Sequence, residues 1–109
     1  MNDKTIVLFL ENLRFDHQMT FDEISLHSGV SRSTVHNAFQ RGTKVSVCQL
    51  LNILKCFHLS LLEFVYAIEL YEMKTLNSSE ILKPLLIREC LTTARTKFRI
   101  KSEVVDLDL

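Results

Sequence analysis

Apolar residues recur every three or four positions along most of this chain, and capping residues stand at the breaks between the apolar stretches. The first stretch runs from Asp3 to about Phe15, and Asp3 is a suitable cap for its start. Its apolar positions are Ile6, Phe9, Leu10 and Leu13. The pattern predicts a first amphipathic helix.

Two further helices are predicted on either side of Gly29. Thr20 and Glu23 have the spacing of a capping box, which predicts a helix from Phe21 to about His27. Gly29 is the residue best able to adopt the left-handed conformation that ends a helix. A second start signal follows the glycine immediately.

Ser31 is that start signal, and the helix that it caps is expected from Arg32 to about Gln40, with a loop from Arg41 to Val45. A helix, a three-residue turn and a second helix, in this order, have the spacing of a helix-turn-helix. The side chains expected to face inward and fix the angle between the two helices are Ile24, Val30, Val35 and Ala38, with the small Ser25 at their crossing.

The outward side of the third predicted helix is polar and contains no acidic residue. The outward side chains of such a helix can enter the major groove of DNA. There, arginine suits guanine edges, asparagine and glutamine suit adenine, and serine and threonine reach bases or phosphates. The residues expected to contact bases are Arg32, Thr34, His36 and Asn37, with Gln40 also facing outward. The residues expected to contact the DNA backbone are Ser31, Ser33, Arg41 and Lys44.

The fourth and fifth helices are predicted from two serine caps. Ser46 caps the fourth, and Ser60 with Glu63 forms a second capping box that opens a fifth helix through about Tyr71. The buried side of the fourth helix is expected to hold Val47, Leu50, Leu51, Ile53, Leu54 and Phe57. Five short helices within residues 1–72 predict an all-α domain.

Residues 73–109 are predicted to form a C-terminal extension. Pro84 suits the first turn of a helix that runs to about Phe98. Its apolar stripe is Ile87, Leu91, Ala94 and Phe98, and its flank is basic. Two interpretations stay open, a dimerisation helix and an extra helix packed on the monomer. The last ten residues fit an exchanged strand, an arm for a partner, or a disordered tail.

Composition narrows the classes of function. Of the 109 residues 47% are apolar, only two are glycine and one is proline, and the formal net charge is zero, so an overall charge attraction to DNA is not expected. The early apolar run is too short to span a bilayer and lacks the features of a secretion signal, so a cytoplasmic protein is expected. The three cysteines are expected to be packed thiols.

Catalytic and metal-binding patterns are not found in the sequence. No histidine or cysteine has the spacing of a metal site, and no nucleophile elbow or phosphate-binding loop is present. We therefore expect no enzyme, no cofactor and no bound metal.

Two stretches, ENLRFDHQMTFDEISLHSGVSRSTV and VSVCQLLNILKCFHLSLLEF, resemble the lambda repressor and Cro type of helix-turn-helix domain, the XRE family. With the following VYAIELYE, the end is similar to the DNA-binding part of the Rgg/MutR regulators. The matching positions are Leu13, Arg14, Thr20, Gly29, Val30, Ser31, Leu50, Leu51, Ile53, Ser60, Leu61, Glu63 and Phe64. Phe21 stands where the family commonly has a glutamine that contacts phosphate.

The resemblance implies a five-helix lambda-repressor-like bundle over residues 1–72 with a C-terminal helical extension. It implies a homodimeric transcriptional regulator from a bacterium, phage or mobile element, a repressor or controller that inserts its third helix into the major groove of double-stranded DNA. The alternative is a protein-binding helix-turn-helix module, an antirepressor, antitoxin or inhibitor, that acts by engaging a protein partner.

Overall fold

The computed structural model of the protein describes residues 3–41, 45–76 and 83–107, with side chains described up to Arg99. Every regular element in these ranges is an α-helix, which confirms the predicted all-α class. The helices are α1 (Asp3–Asp16), α2 (Phe21–Ser28), α3 (Arg32–Arg41), α4 (Val47–Lys55), α5 (Leu61–Thr75) and α6 (Lys83–Leu107).

The helix bounds agree closely with the predicted ones at the N-terminal ends. Thr20 and Ser46 are the N-caps of α2 and α4, and both form complete capping boxes, with Glu23 and Gln49 respectively. The C-terminal ends lie later than predicted, by one residue in α1, α2 and α3 and by four residues in α5. The sequence around the end of α5 offers no glycine or proline to stop the helix.

The chain divides into two compact units, Met1–Leu61 and Leu62–Leu109. The first unit contains α1 to α4, and the second contains α6 and all of α5 except its first residue. The domain boundary predicted after residue 72 groups the fifth helix with the first four. The compact units and the predicted domains therefore assign this helix differently.

The first unit is built around α3, which packs against α1 and α2, while α2 also packs against α4. Removal of apolar side chains from water drives this packing. Its buried apolar side chains are Phe9, Leu10, Leu13, Ile24, Val30, Val35, Ala38, Phe39, Ile53, Leu54, Phe57 and Leu59. Val47 was predicted to be buried, and this was wrong: it is 62% exposed, because it is the first residue of α4 and only the later turns reach the core.

The second unit pairs α5 with α6 in antiparallel directions. Lys74 near the end of α5 donates to Glu89 early in α6, with 3.0 Å between Nζ and Oε1. The rings of Tyr66 and Phe98 meet edge to face at a centroid distance of 5.7 Å, which joins the start of α5 to the later part of α6. The predicted stripe of α6 is buried at Ile87, Leu91 and Ala94 and half-buried at Phe98.

The C-terminal segment is helical where it is described. The backbone of α6 continues to Leu107, nine residues past the predicted end at Phe98. The interpretation of the last ten residues as an exchanged strand was therefore wrong for residues 100–107, because alternating apolar residues can also occur along a helix. Residues 108–109 lie outside the described part of the chain.

Candidate nucleic-acid interface

The turn between α2 and α3 is held by hydrogen bonds of both the backbone and the side chains. Gly29 adopts the left-handed conformation at φ 74° and ψ 9°, and its N–H donates to the carbonyl of Ser25 over 3.0 Å. The hydroxyl of Ser25 donates to the carbonyl of Val30 over 2.6 Å, and the N–H of Val30 donates to the hydroxyl of Ser28 over 3.2 Å. The path from α2 into α3 is thus held by three hydrogen bonds.

The inward side chains of this pair are those that the sequence predicted. Ile24, Val35 and Ala38 are fully buried and Val30 is 5% exposed. Phe39 is also buried, which the sequence analysis did not predict. Its spacing of four residues from Val35 was a signal that could have identified it, since residues i and i+4 share a helix face.

The other side of α3 is open to solvent along most of its length. Of the predicted site residues, Thr34 and Asn37 are half-buried, and Lys44 lies outside the described residues. The remaining six are exposed, namely Ser31, Arg32, Ser33, His36, Gln40 and Arg41. Residues 32–41 include no carboxylate, so the surface that α3 itself contributes is neutral to basic.

Ser31 is engaged in starting α3. Its hydroxyl accepts from the N–H of Thr34 over 3.3 Å, and its carbonyl accepts from the N–H of Val35 over 2.9 Å. The same hydroxyl donates to the hydroxyl of Thr34 over 2.8 Å. These bonds satisfy donors at the helix start that have no partner within the helix. Both hydroxyls predicted to contact DNA therefore also hold the cap.

Arg32, the first residue of α3, is paired across the two helices. Its Nε donates to Oδ1 of Asp22, in the first turn of α2. Both side chains remain largely exposed, 65% for Arg32 and 75% for Asp22. The arginine predicted to contact bases thus has a carboxylate beside it, which local sequence could not predict because the two residues are ten positions apart.

Phe21 links α2 to both neighbouring helices. The guanidinium carbon of Arg14 lies 4.6 Å from its ring centroid, as in a cation–π contact. The His36 ring meets it edge to face at 5.3 Å, and the Phe39 ring does so at 5.6 Å. The position at which the family commonly has a phosphate-binding glutamine is here an aromatic contact that orients His36.

The first turn of α2 is acidic, and its Asp22 contacts Arg32 of α3. Glu23 accepts from the N–H of Thr20 over 3.0 Å, and this hydrogen bond, with a second from the Thr20 hydroxyl and the charge of His27, holds the pKa of Glu23 below its ordinary value. With Asp22 beside it, the first turn of α2 carries two carboxylates. Both carboxylates are stabilised by the partial positive charge at the N-terminal end of that helix.

The described histidine and cysteine side chains form no metal site. His27, Cys56 and His58 line one groove, yet no group of three or more possible ligands could hold a metal ion there or elsewhere among the described side chains of residues 3–41, 45–76 and 83–99. Burial raises the pKa of the Cys56 and Cys90 thiols, which leaves them poor nucleophiles at neutral pH. Cys48, expected to be packed, is exposed.

No helix within the described ranges is both long enough and apolar enough to cross a bilayer. Comparison of the chain with models of protein families, with curated proteins and with solved structures gives no match.

Proposed function

We propose that the protein is a cytoplasmic, sequence-specific DNA-binding regulator, a repressor or controller, that inserts α3 into the major groove of double-stranded DNA. The observation that carries the proposal is the two-sided character of α3. One side is buried through Val35, Ala38 and Phe39, and on the other side α3 itself presents exposed polar and basic groups and contributes no carboxylate. An α-helix with its side chains is about 10–12 Å across, so a major groove about 12 Å wide admits it.

The roles of individual residues follow from their exposure. Asn37 is half-buried and Gln40 is exposed, and both amides suit the edge of adenine. Arg32 uses only Nε in its bond to Asp22, and the N–H donors on its two terminal nitrogens suit the edge of guanine. Arg41 at the end of α3 is exposed and suits a phosphate, as does Lys44 by its sequence position.

The modest charge of one subunit supports a homodimer as the active species. Each neutralised phosphate adds about 0.9 to the slope of log affinity against log salt, and one subunit offers few free cations near α3. Two copies of α3 that reach half-sites about 34 Å apart double the number of contacts. We propose that the C-terminal extension supplies the contacts between subunits.

The test is selection of bound fragments from a random DNA pool, followed by affinity measurements on variants. Asn37→Ala is expected to relax the preference at one position, and Lys44→Ala to weaken all sequences alike and flatten the salt slope by about one. Lys55→Ala, at an exposed lysine at the end of α4, is the control and leaves both quantities unchanged. Equal losses for Asn37→Ala on selected and random DNA contradict its role.

A protein-binding module is the second candidate, and exposed apolar side chains favour it. Phe15 at the end of α1 is 76% exposed, and Leu26 on α2 is 79% exposed. Exposed apolar groups mark a protein contact where they form a contiguous patch. This candidate predicts co-purification with a protein and no salt-sensitive shift of DNA in a gel, so one gel-shift series separates the two functions.

A further inference from the structure

Asp22 and Arg32 join the starts of α2 and α3. The Arg32 Nε donates to the Asp22 carboxylate, and the two side chains are 65% and 75% exposed. Exposed ion pairs add little to folding stability. The consequence of this pair therefore lies in what it does to the position and charge of Arg32.

Both partners are attached to fixed backbone. Asp22 is in the first turn of α2, which the Thr20–Glu23 capping box holds, and Arg32 directly follows Ser31, whose hydroxyl accepts from the N–H of Thr34. Because capping hydrogen bonds hold both helix starts, the ion pair with Asp22 restricts the rotamers of the long Arg32 side chain. A restrained arginine has less conformational freedom to lose when it binds.

The pairing leaves the binding end of Arg32 available. Only Nε is used by Asp22, whereas the guanidinium has four further N–H donors on its two terminal nitrogens. Two parallel donors match the O6 and N7 acceptors of guanine. Meanwhile the carboxylate weakens the attraction of Arg32 to phosphates, which is the contact that every DNA sequence offers.

We propose that Asp22 is a specificity-determining residue, which positions Arg32 for one guanine and lowers its attraction to random DNA. The proposal rests on the proposed DNA-binding function. It makes the acidic first turn of α2 a part of the reading surface, although a carboxylate near DNA is otherwise repelled by phosphate.

The experiment measures the affinity of the full chain for its selected site, for that site with the guanine replaced, and for random DNA, at two salt concentrations. The guanine is the position whose preference Arg32→Ala abolishes. Asp22→Asn keeps the side-chain shape and removes the charge. We expect it to bind random DNA more tightly and to lose about tenfold in discrimination at that guanine.

Glu23→Gln is the matched control. It removes the same charge one residue away, and its amide oxygen can still accept in the capping box. It is expected to strengthen random binding like Asp22→Asn while leaving discrimination intact. In the Arg32→Ala background, Asp22→Asn is expected to change discrimination no further.

Equal gains on all three DNAs for Asp22→Asn, matching those for Glu23→Gln, would mean that Asp22 only repels DNA and would overturn the proposal. That outcome leaves DNA binding itself in place. A wild-type chain with no salt-sensitive binding to any DNA is a different result, because it removes the proposed function and this inference together.

Discussion

At the scale of the single residue, Gly29 shows which property of an amino acid the turn requires. Its backbone lies in the left-handed region at φ 74°, where side chains with a Cβ are disfavoured. A Cβ built at this position meets no heavy atom within 4 Å. The requirement for glycine is therefore conformational and not steric, and for this reason it could be predicted from local sequence alone.

We expect Gly29→Ala to lower the free energy of unfolding by about 1 kcal/mol, since alanine must adopt the left-handed conformation in an otherwise open position. Gly29→Asn is the matched control and is expected to cost less, because asparagine tolerates this conformation. Urea denaturation at constant m-value measures both changes. Equal stability of the alanine variant and the wild type would show that the conformation is not required.

His36 illustrates what local sequence could not provide. Its outward position was predicted from helical spacing, whereas its contact with Phe21 depends on how α2 crosses α3. The same holds for Arg32, whose partner Asp22 is ten residues earlier. Helical periodicity predicted which site residues face outward. It could not predict the partners that orient them, because these partners belong to another helix.

At the scale of the helix, starts were easier to predict than ends. A capping box such as Thr20–Glu23 lies within four consecutive residues, so the sequence contains all of it. The end of α2 could be predicted in the same way, because Gly29 alone signals it. The ends of α5 and α6 have no such signal, and both helices run past the predicted residue because no glycine or proline stands there to stop them.

The α2 capping box also predicts a dependence of stability on pH. Hydrogen bonds from Thr20 lower the folded-state pKa of Glu23 below its ordinary value of 4.5. A lowered pKa means that this stabilisation is complete above 4.5 and is lost as the pH falls through the folded-state pKa. Glu23→Gln is expected to lower the free energy of unfolding at neutral pH, because it removes the contribution of the ionised carboxylate, and to reduce the further loss of stability as the pH falls below 4.5; denaturant titrations from neutral to acidic pH measure both effects. An unchanged acid dependence in the variant would contradict the assignment.

At the scale of the whole molecule, α5 is the element whose placement the sequence could not decide. Phe64, Ala67 and Ile68 are buried on one side, whereas Leu62 is 68% and Met73 is 64% exposed. With apolar residues on both sides, periodicity does not say which neighbours the helix packs against. The predicted boundary after residue 72 and the compact unit that starts at Leu62 differ at this helix.

The proposed dimer can be tested with two leucines of the same character in different units. Leu76, at the end of α5, is 83% exposed, and Leu26, on α2, is 79% exposed. Neither contributes much to the core, so Leu76→Ser and Leu26→Ser are both expected to fold with near wild-type stability. Because we assign subunit contacts to the C-terminal extension, only Leu76→Ser is expected to weaken the dimer. Burial of one leucine is worth about 1.5–3 kcal/mol, so its dimer dissociation constant should rise about tenfold or more in sedimentation equilibrium.

The same pair of variants separates the two candidate functions. If the chain is a DNA-binding dimer, Leu76→Ser should raise the protein concentration needed to occupy a two-half-site operator and leave binding to one half-site unchanged, while Leu26→Ser alters neither. If the chain is a protein-binding module that docks through α2, Leu26→Ser should instead abolish capture of the protein partner. Leu76→Ser should then leave the affinity for DNA unchanged. The opposite result, in which Leu26→Ser disrupts the dimer and Leu76→Ser does not, would contradict our assignment of the subunit contacts. It would place these contacts on the α2–α3 pair, which we propose binds DNA.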